Sequence, residues 1–233
     1  MGRQPYSERA APASGSVPTG LRRPVIATLM LAALLSLFFS AGFWQLDRAD
    51  QKQAVLDTFA SADAGEHFMQ LVPDEAAETL RFRSFSLTGN YLPDKQILLD
   101  NMIDGGANGY QVLTAFRTGN HYVMVNRGWI RAAGDRQLLP DISVSGNERT
   151  IIARLNHLPS PGLKLDQPSA PASSQPARLL FPDRAALQRQ LDLTLPDYQL
   201  QLDPGQADGY LRNWQAISTG PEKHLGYALQ WFS

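Results

Sequence analysis

The sequence predicts a membrane-anchored, mainly β protein: an antiparallel β-barrel-like or curved sheet with minor helices. Three observations carry that expectation. A run of 20 residues without a charge, Val25 to Trp44, spans roughly 30 Å as an α-helix, the thickness of a bilayer's hydrocarbon core. From Leu80 onward, apolar residues alternate with polar ones at the period of strands. The chain as a whole, 233 residues with 18% charged and a mean hydropathy of −0.25, is otherwise that of a folded aqueous domain.

Residues 1–21 are rich in Ala, Pro, Ser and Gly, have little to bury, and read as a disordered cytoplasmic tail. The transmembrane helix follows at 22–46. Arg22 and Arg23 stand directly before the apolar run, whereas Arg48 and Lys52 beyond it are mixed with Asp47, Asp50 and Asp57. The positive-inside rule then puts the amino terminus in the cytoplasm and the bulk of the chain outside, which in a bacterium is the periplasm. A cleaved signal peptide is the alternative, with Ser40 and Gly42 as the small residues before a cut, but the run exceeds the roughly 7–15 apolar residues of a signal segment. Phe43 and Trp44 fall at the far interface, where aromatic rings are favoured. Leu46, Ala49, Val55, Leu56 and Phe59 then recur at helical spacing, so a helical connector, 47–65, continues out of the membrane.

An extracytoplasmic, mainly β domain is expected over 66–222, a length adequate for one core. FRSFSLTGNYL, then QILLDNM after a Pro93-Asp94 turn, then YQVLTAF and YVMVNRGWI joined through Thr118-Gly119-Asn120, read as four consecutive strands. TIIARLN, YQLQLD and NWQAIS make three more. Short turns between neighbours make the pairings antiparallel. Asp166 to Ala177, with three Pro and three Ser, is expected to be a mobile loop, and FPDRAALQRQL after it one helix capped by Asp183. Residues 223–233, containing HLGYALQWFS, form an aromatic, apolar helix start too short to span a bilayer.

Several kinds of chemistry are excluded. With 21 basic and 22 acidic residues and no basic run, the chain has no footprint for nucleic acid. Zero Cys removes disulfides, thiol nucleophiles and thiolate metal sites. His67, His121, His157 and His224 show no metal-ligand spacing, and Gly105, Gly106 and Gly109 are simpler as a wide turn than as a phosphate cradle. Asp100 or Asn101 is expected to meet Arg127 across paired strands and tie the hairpins together, with Trp129 in the core. A hydrolase is the weakest reading: its acid/base pair would have to come from Asp100 and Asp104, and no nucleophile accompanies them. His224 has two readings, an interfacial histidine bonded to lipid headgroups or to the folded domain, and an axial ligand to haem iron with Tyr227 and Trp231, at i+3 and i+7, bounding the macrocycle.

Five blocks in order, GFWQLDRADQK, FRSFSLTGNYL, LLDNMIDGGANGYQVLTAF, VNRGWI and PEKHLGYALQWF, resemble the surfeit locus protein 1 family of cytochrome c oxidase assembly factors over most of 42–232. The resemblance implies a non-enzymatic chaperone of the bacterial cell inner membrane, with two membrane helices flanking a mainly β domain. It also implies that haem a, received from haem A synthase, is carried or positioned for insertion into oxidase subunit I. The histidine proposed in the family as haem ligand matches His224. Members continue from this WF through a full second membrane helix, so 223–233 is expected to be the truncated start of one. The alternative within the resemblance is a cofactor-free anchored scaffold that docks oxidase subunits or other assembly factors.

Overall fold

The computed structural model describes residues 19–62, 67–159, 176–216 and 219–233. The expected tail therefore lies outside the described residues up to residue 18, and so does the expected mobile loop up to residue 175. The chain divides into two compact units, Met1–Gln53 with Thr219–Ser233, and Ala54–Ser218.

The first unit is helical. α1, Thr19–Ser61, is one unbroken helix of 43 residues, so the stretches expected as a membrane helix and a connector form a single element. From Arg23 it is long and apolar enough to cross a membrane, with a mean hydropathy of 2.2 over its most apolar window. The side chains from Val25 to Phe39 face outward, an arrangement that water penalises and hydrocarbon does not. Hydroxyls in this stretch find partners within the helix: Thr28 Oγ1 donates to the Pro24 carbonyl at 2.9 Å and Ser36 Oγ to that of Ala32 at 2.8 Å. The second helix of this unit is Glu222–Phe232, labelled α4 below because two short helices precede it in the chain.

Those two, α2 (Asp74–Ala77) and α3 (Arg184–Leu191), accompany six strands in the second unit. The strands are β1 (Ser84–Asp104), β2 (Ala107–Thr118), β3 (His121–Arg131), β4 (Arg149–Asn156), β5 (Ala177–Leu179) and β6 (Gln199–Leu202). Hydrogen-bonded neighbours run β2-β3-β6-β4-β1-β5, and β1 pairs with β2 as well, so the pairings among β1, β2, β3, β6 and β4 return on themselves. The length of β1 permits this. Its first residues, Ser84–Gly89, pair with β4, and the rest, from Asn90, pair with β2.

Several expectations are corrected here. The two strands expected on either side of Pro93-Asp94 are one, with those residues in a register shift between Tyr91 and Gln96. Proline has no N–H to give a ladder, and an irregularity is where a strand tolerates it. The sheet is mixed rather than antiparallel, because β3–β6 and β1–β5 are parallel. The glycines expected in a wide turn supply a tight one, Gly105-Gly106 between β1 and β2. Ala177, expected to end the loop, begins β5. NWQAIS is not a strand over its described residues 213–216; Trp214 there donates from Nε1 to the Leu202 carbonyl at 2.8 Å. Asp183 does cap α3, accepting the Ala186 N–H at 2.8 Å.

Phe85, Leu87, Phe116, Val123, Val125, Ile151, Leu155, Leu200 and Leu202, drawn from all five strands of that circuit, form one core cluster. On the other face, Ile97, Leu99, Leu113 and Met124 pack with Leu187 and Leu191 of α3. Val123 and Val125 thus belong to one cluster and Met124 to the other, which is why β3 reads as a continuous apolar run.

The segment VNRGWI brings charge into this interior. Arg127, 2% exposed, donates from Nε to the Asp208 carbonyl at 2.7 Å and from Nη1 to Gln96 Oε1 and the Ile142 carbonyl, both at 3.0 Å. Longer bonds of 3.3 Å reach Thr114 Oγ1 and the Ser143 carbonyl. The expected contact with Asp100 or Asn101 is therefore not made: β2 pairs with both β1 and β3 and stands between them, and Asp100 is bonded by Arg136. Trp129, expected in the core, is half-buried and donates from Nε1 to the Met102 carbonyl at 2.8 Å. Gly128 has φ 109°, and a Cβ there would stand 2.6 Å from the Leu211 carbonyl oxygen, so both backbone and space require glycine.

Candidate functional site

The residues singled out by sequence, His224, Tyr227 and Trp231, all lie on α4. At about 100° per residue, Trp231 falls roughly 20° from His224 around the helix and Tyr227 about 60° away. Within the first unit α4 runs antiparallel to α1. His224 meets Gln45, Trp231 meets Phe38 with ring centroids 5.7 Å apart, and Phe232 meets Phe39 at 5.8 Å and Phe43 at 5.5 Å, so later residues of one helix touch earlier residues of the other.

Small residues make this approach possible. Gly42 is buried, and a Cβ on it would enter the Phe232 ring. Ala49 and Ala228 are each 2% exposed. Without a Cβ at Gly42, the ring seats directly on the α1 backbone, and contacts between such rings are worth about 0.5–1.5 kcal/mol each.

A hydrogen bond lies in this interface. His224 Nδ1 lies 2.8 Å from Gln45 Oε1, and both residues are half-buried. With the amide oxygen facing the ring, Nδ1 must donate, since that oxygen only accepts. The other ring nitrogen, Nε2, has no hydrogen-bond partner among the described residues. Trp231 shares the α1-facing side with His224 and remains 41% exposed, while Tyr227 is 50% exposed and makes no ring contact or hydrogen bond there. Two of the three candidate residues are thus joined through α1, and Tyr227 is not.

Gln45 is the residue that sequence reading left without a role. Its signal was present: Phe38, Gly42, Gln45 and Ala49 recur at helical spacing, and Gln45 is the one hydrogen-bonding side chain in that stripe.

The residues fit a metal-holding imidazole to this extent: His224 would hold an iron through Nε2, with its other ring nitrogen placed on an oriented acceptor, as iron-binding histidines are. Among the described residues no three His, Asp or Glu gather as a metal site. His67 bonds Ser84 at 2.9 Å and His157 bonds Glu78 at 2.6 Å. The carboxylate Asp100 accepts the Asn101 N–H at 2.7 Å and the Arg136 guanidinium, and Asp104 closes β1 at its turn; no hydroxyl or imidazole is bonded to either among the described residues.

The model of the SURF1 family matches residues 32–233. Over 218 residues the chain is 27% identical to the SURF1-like protein of Rickettsia felis, covering 88% of this chain and 89% of that protein. It is 32% identical over 95 residues to the SURF1-like protein of Rickettsia prowazekii, covering 39% of this chain and 37% of that protein. With the SURF1-like protein of Rickettsia conorii the identity is 30% over 114 residues, 44% of this chain and 46% of that one.

Proposed function

Because the chain belongs to the SURF1 family, we propose that it is an assembly factor for a haem-copper terminal oxidase, cytochrome c oxidase, and that it carries or positions haem a for insertion into subunit I. The observation that supports this reading is the imidazole of His224, its Nδ1 2.8 Å from Gln45 Oε1, beside an aromatic helix pair. In this reading His224 would hold the haem iron through Nε2, and Tyr227 and Trp231 would offer aromatic faces to the macrocycle. Bound haem a is cargo: a hydrophobic, redox-active macrocycle that an aqueous compartment does not hold safely. The chain's own residues bind, orient and exclude water, and no covalent bond within the cargo is made or broken by them. α1 anchors the protein in a bacterial inner membrane, its amino terminus cytoplasmic and its β domain periplasmic, with haem A synthase as donor and membrane lipid around α1.

The test is haem uptake by the full-length chain, co-expressed with haem A synthase and purified in detergent. Haem absorbance is expected in the wild type and its loss in His224→Ala. A wild type that never takes up haem under these conditions overturns the cofactor role; capture of subunit I by that haem-free protein would leave the cofactor-free scaffold in its place.

A further inference from the structure

We propose that Gln45 is the positioning residue for His224: its side-chain carbonyl fixes the imidazole as the Nδ1–H tautomer and leaves Nε2 as the ligand nitrogen. The 2.8 Å contact supplies the geometry. The contacts around it keep the two helices in register: Trp231 on Phe38, and Phe232 on Phe39, on Phe43 and over Gly42, lie two turns along from His224. Gln45 sits on α1 one turn from Gly42 and one turn from Ala49, both buried, so its amide is presented from the packed face.

The residue type matters as much as the position. A carboxylate at this place would draw a full proton onto the imidazole and set an ion pair into an apolar interface. An amide oxygen orients the ring without adding charge, as the outer partner of a metal-binding imidazole does. The neighbouring acid Asp47 is engaged elsewhere, accepting from Gln51 Nε2 at 2.8 Å, and Gln51 Oε1 accepts from Arg48 at 2.9 Å. The use of this arrangement rests on the haem reading above, whereas the tautomer itself does not.

The experiment uses the full-length chain in detergent micelles with 15N-labelled histidine, at a pH where the imidazole is neutral. Two-bond 1H–15N correlations separate the protonated from the unprotonated ring nitrogen, and His224 is assigned by its disappearance in His224→Ala. The wild type is expected to show a protonated Nδ1. Gln45→Leu, similar in size and helix-compatible, is expected to move His224 toward the Nε2–H form and to weaken binding of added hemin about 10-fold. The resonances of His67, His121 and His157 report that the β domain of the variant is folded, and Gln45→Asn, which keeps an amide on a shorter stem, serves if the helix pair of Gln45→Leu is not. A wild type with Nε2 protonated, or Gln45→Leu with tautomer and hemin affinity both unchanged, overturns the proposal. A tautomer shift in Gln45→Leu alongside a wild type that takes up no hemin sustains the pairing and removes the haem reading instead.

Discussion

Replacing Arg127 by Ala should destabilise the β domain by about 3 kcal/mol, a large part of the roughly 5–15 kcal/mol by which domains are stable. The figure follows from which partners water can reach. Ser143 and Asp208 are exposed, so water takes the place of the guanidinium at their carbonyls. Ile142 is 5% exposed, and its carbonyl would be left without that donor, at about 1–3 kcal/mol. Gln96 Oε1 keeps the Thr114 hydroxyl at 2.8 Å and loses less. The remainder comes from the cavity, since Arg127 heads the largest fully buried side chains of the protein. Lys in its place keeps the charge but not the fork, and cannot serve Ile142 and Asp208 together, so about half the loss is expected. Urea unfolding of the full-length chain, followed through Trp129 and Trp214 fluorescence with amide exchange at Tyr210, whose N–H donates to the Arg127 carbonyl at 2.7 Å, measures both. An Ala variant within 1 kcal/mol of wild type, or a Lys variant equal to it, would refute the reasoning.

Two buried tyrosines should respond to Phe with opposite signs. Tyr91 is 1% exposed and its hydroxyl has no partner among the described residues, so Tyr91→Phe is expected to be neutral or to stabilise by up to about 1 kcal/mol. Tyr198, equally buried, donates to the Val72 carbonyl at 2.9 Å and accepts its N–H at 3.2 Å, so Tyr198→Phe should lose about 1 kcal/mol by the same denaturation assay. Burial pushes both phenols up to about 12, in Tyr91 against the pull of Arg127. The folded state then binds more protons than the unfolded one between about pH 10 and 12, so stability is fully present below about pH 10 and falls as the pH rises toward 12. Tyr91→Phe should make that alkaline fall shallower, and an unfolding midpoint that falls as steeply in the variant contradicts the assignment. Asp183→Ala removes the cap of α3 and should cost about 1 kcal/mol, seen as faster amide exchange at Ala186 than elsewhere in the helix.

What sequence showed and what it hid divide along physical lines. The cap at Asp183 was legible because a short side chain and a neighbouring N–H settle it locally. The membrane-length run of α1 was legible because twenty uncharged residues have few other uses. The continuity of β1 through Pro93 was not, since proline marks a turn far more often than a shift within a strand. The parallel pairs β3–β6 and β1–β5 were hidden because their partners are distant in the chain, and alternation carries no sign of direction. Arg127 was noticed and misassigned for a similar reason. Charge complementarity suggested Asp100, whereas the fold surrounds the guanidinium with carbonyls and an amide from residues as distant as Gln96 and Asp208.

The helix pair shows the same division within one site. Hydropathy finds α1 and the aromatic character of α4, but both properties are insensitive to register: sliding one helix past the other by a turn, about 5.4 Å, leaves each equally apolar. Register is set instead by the features that hydropathy counts least. That slide would separate Gln45 from His224 and lift Phe232 away from Gly42 in the same movement. A hydrogen bond between two half-buried side chains and a ring seated on a glycine therefore define one alignment that nonspecific apolar packing would leave open. The same alignment sets which atom His224 Nδ1 faces, so the partner of the imidazole depends on the fit between helices as well as on the histidine itself.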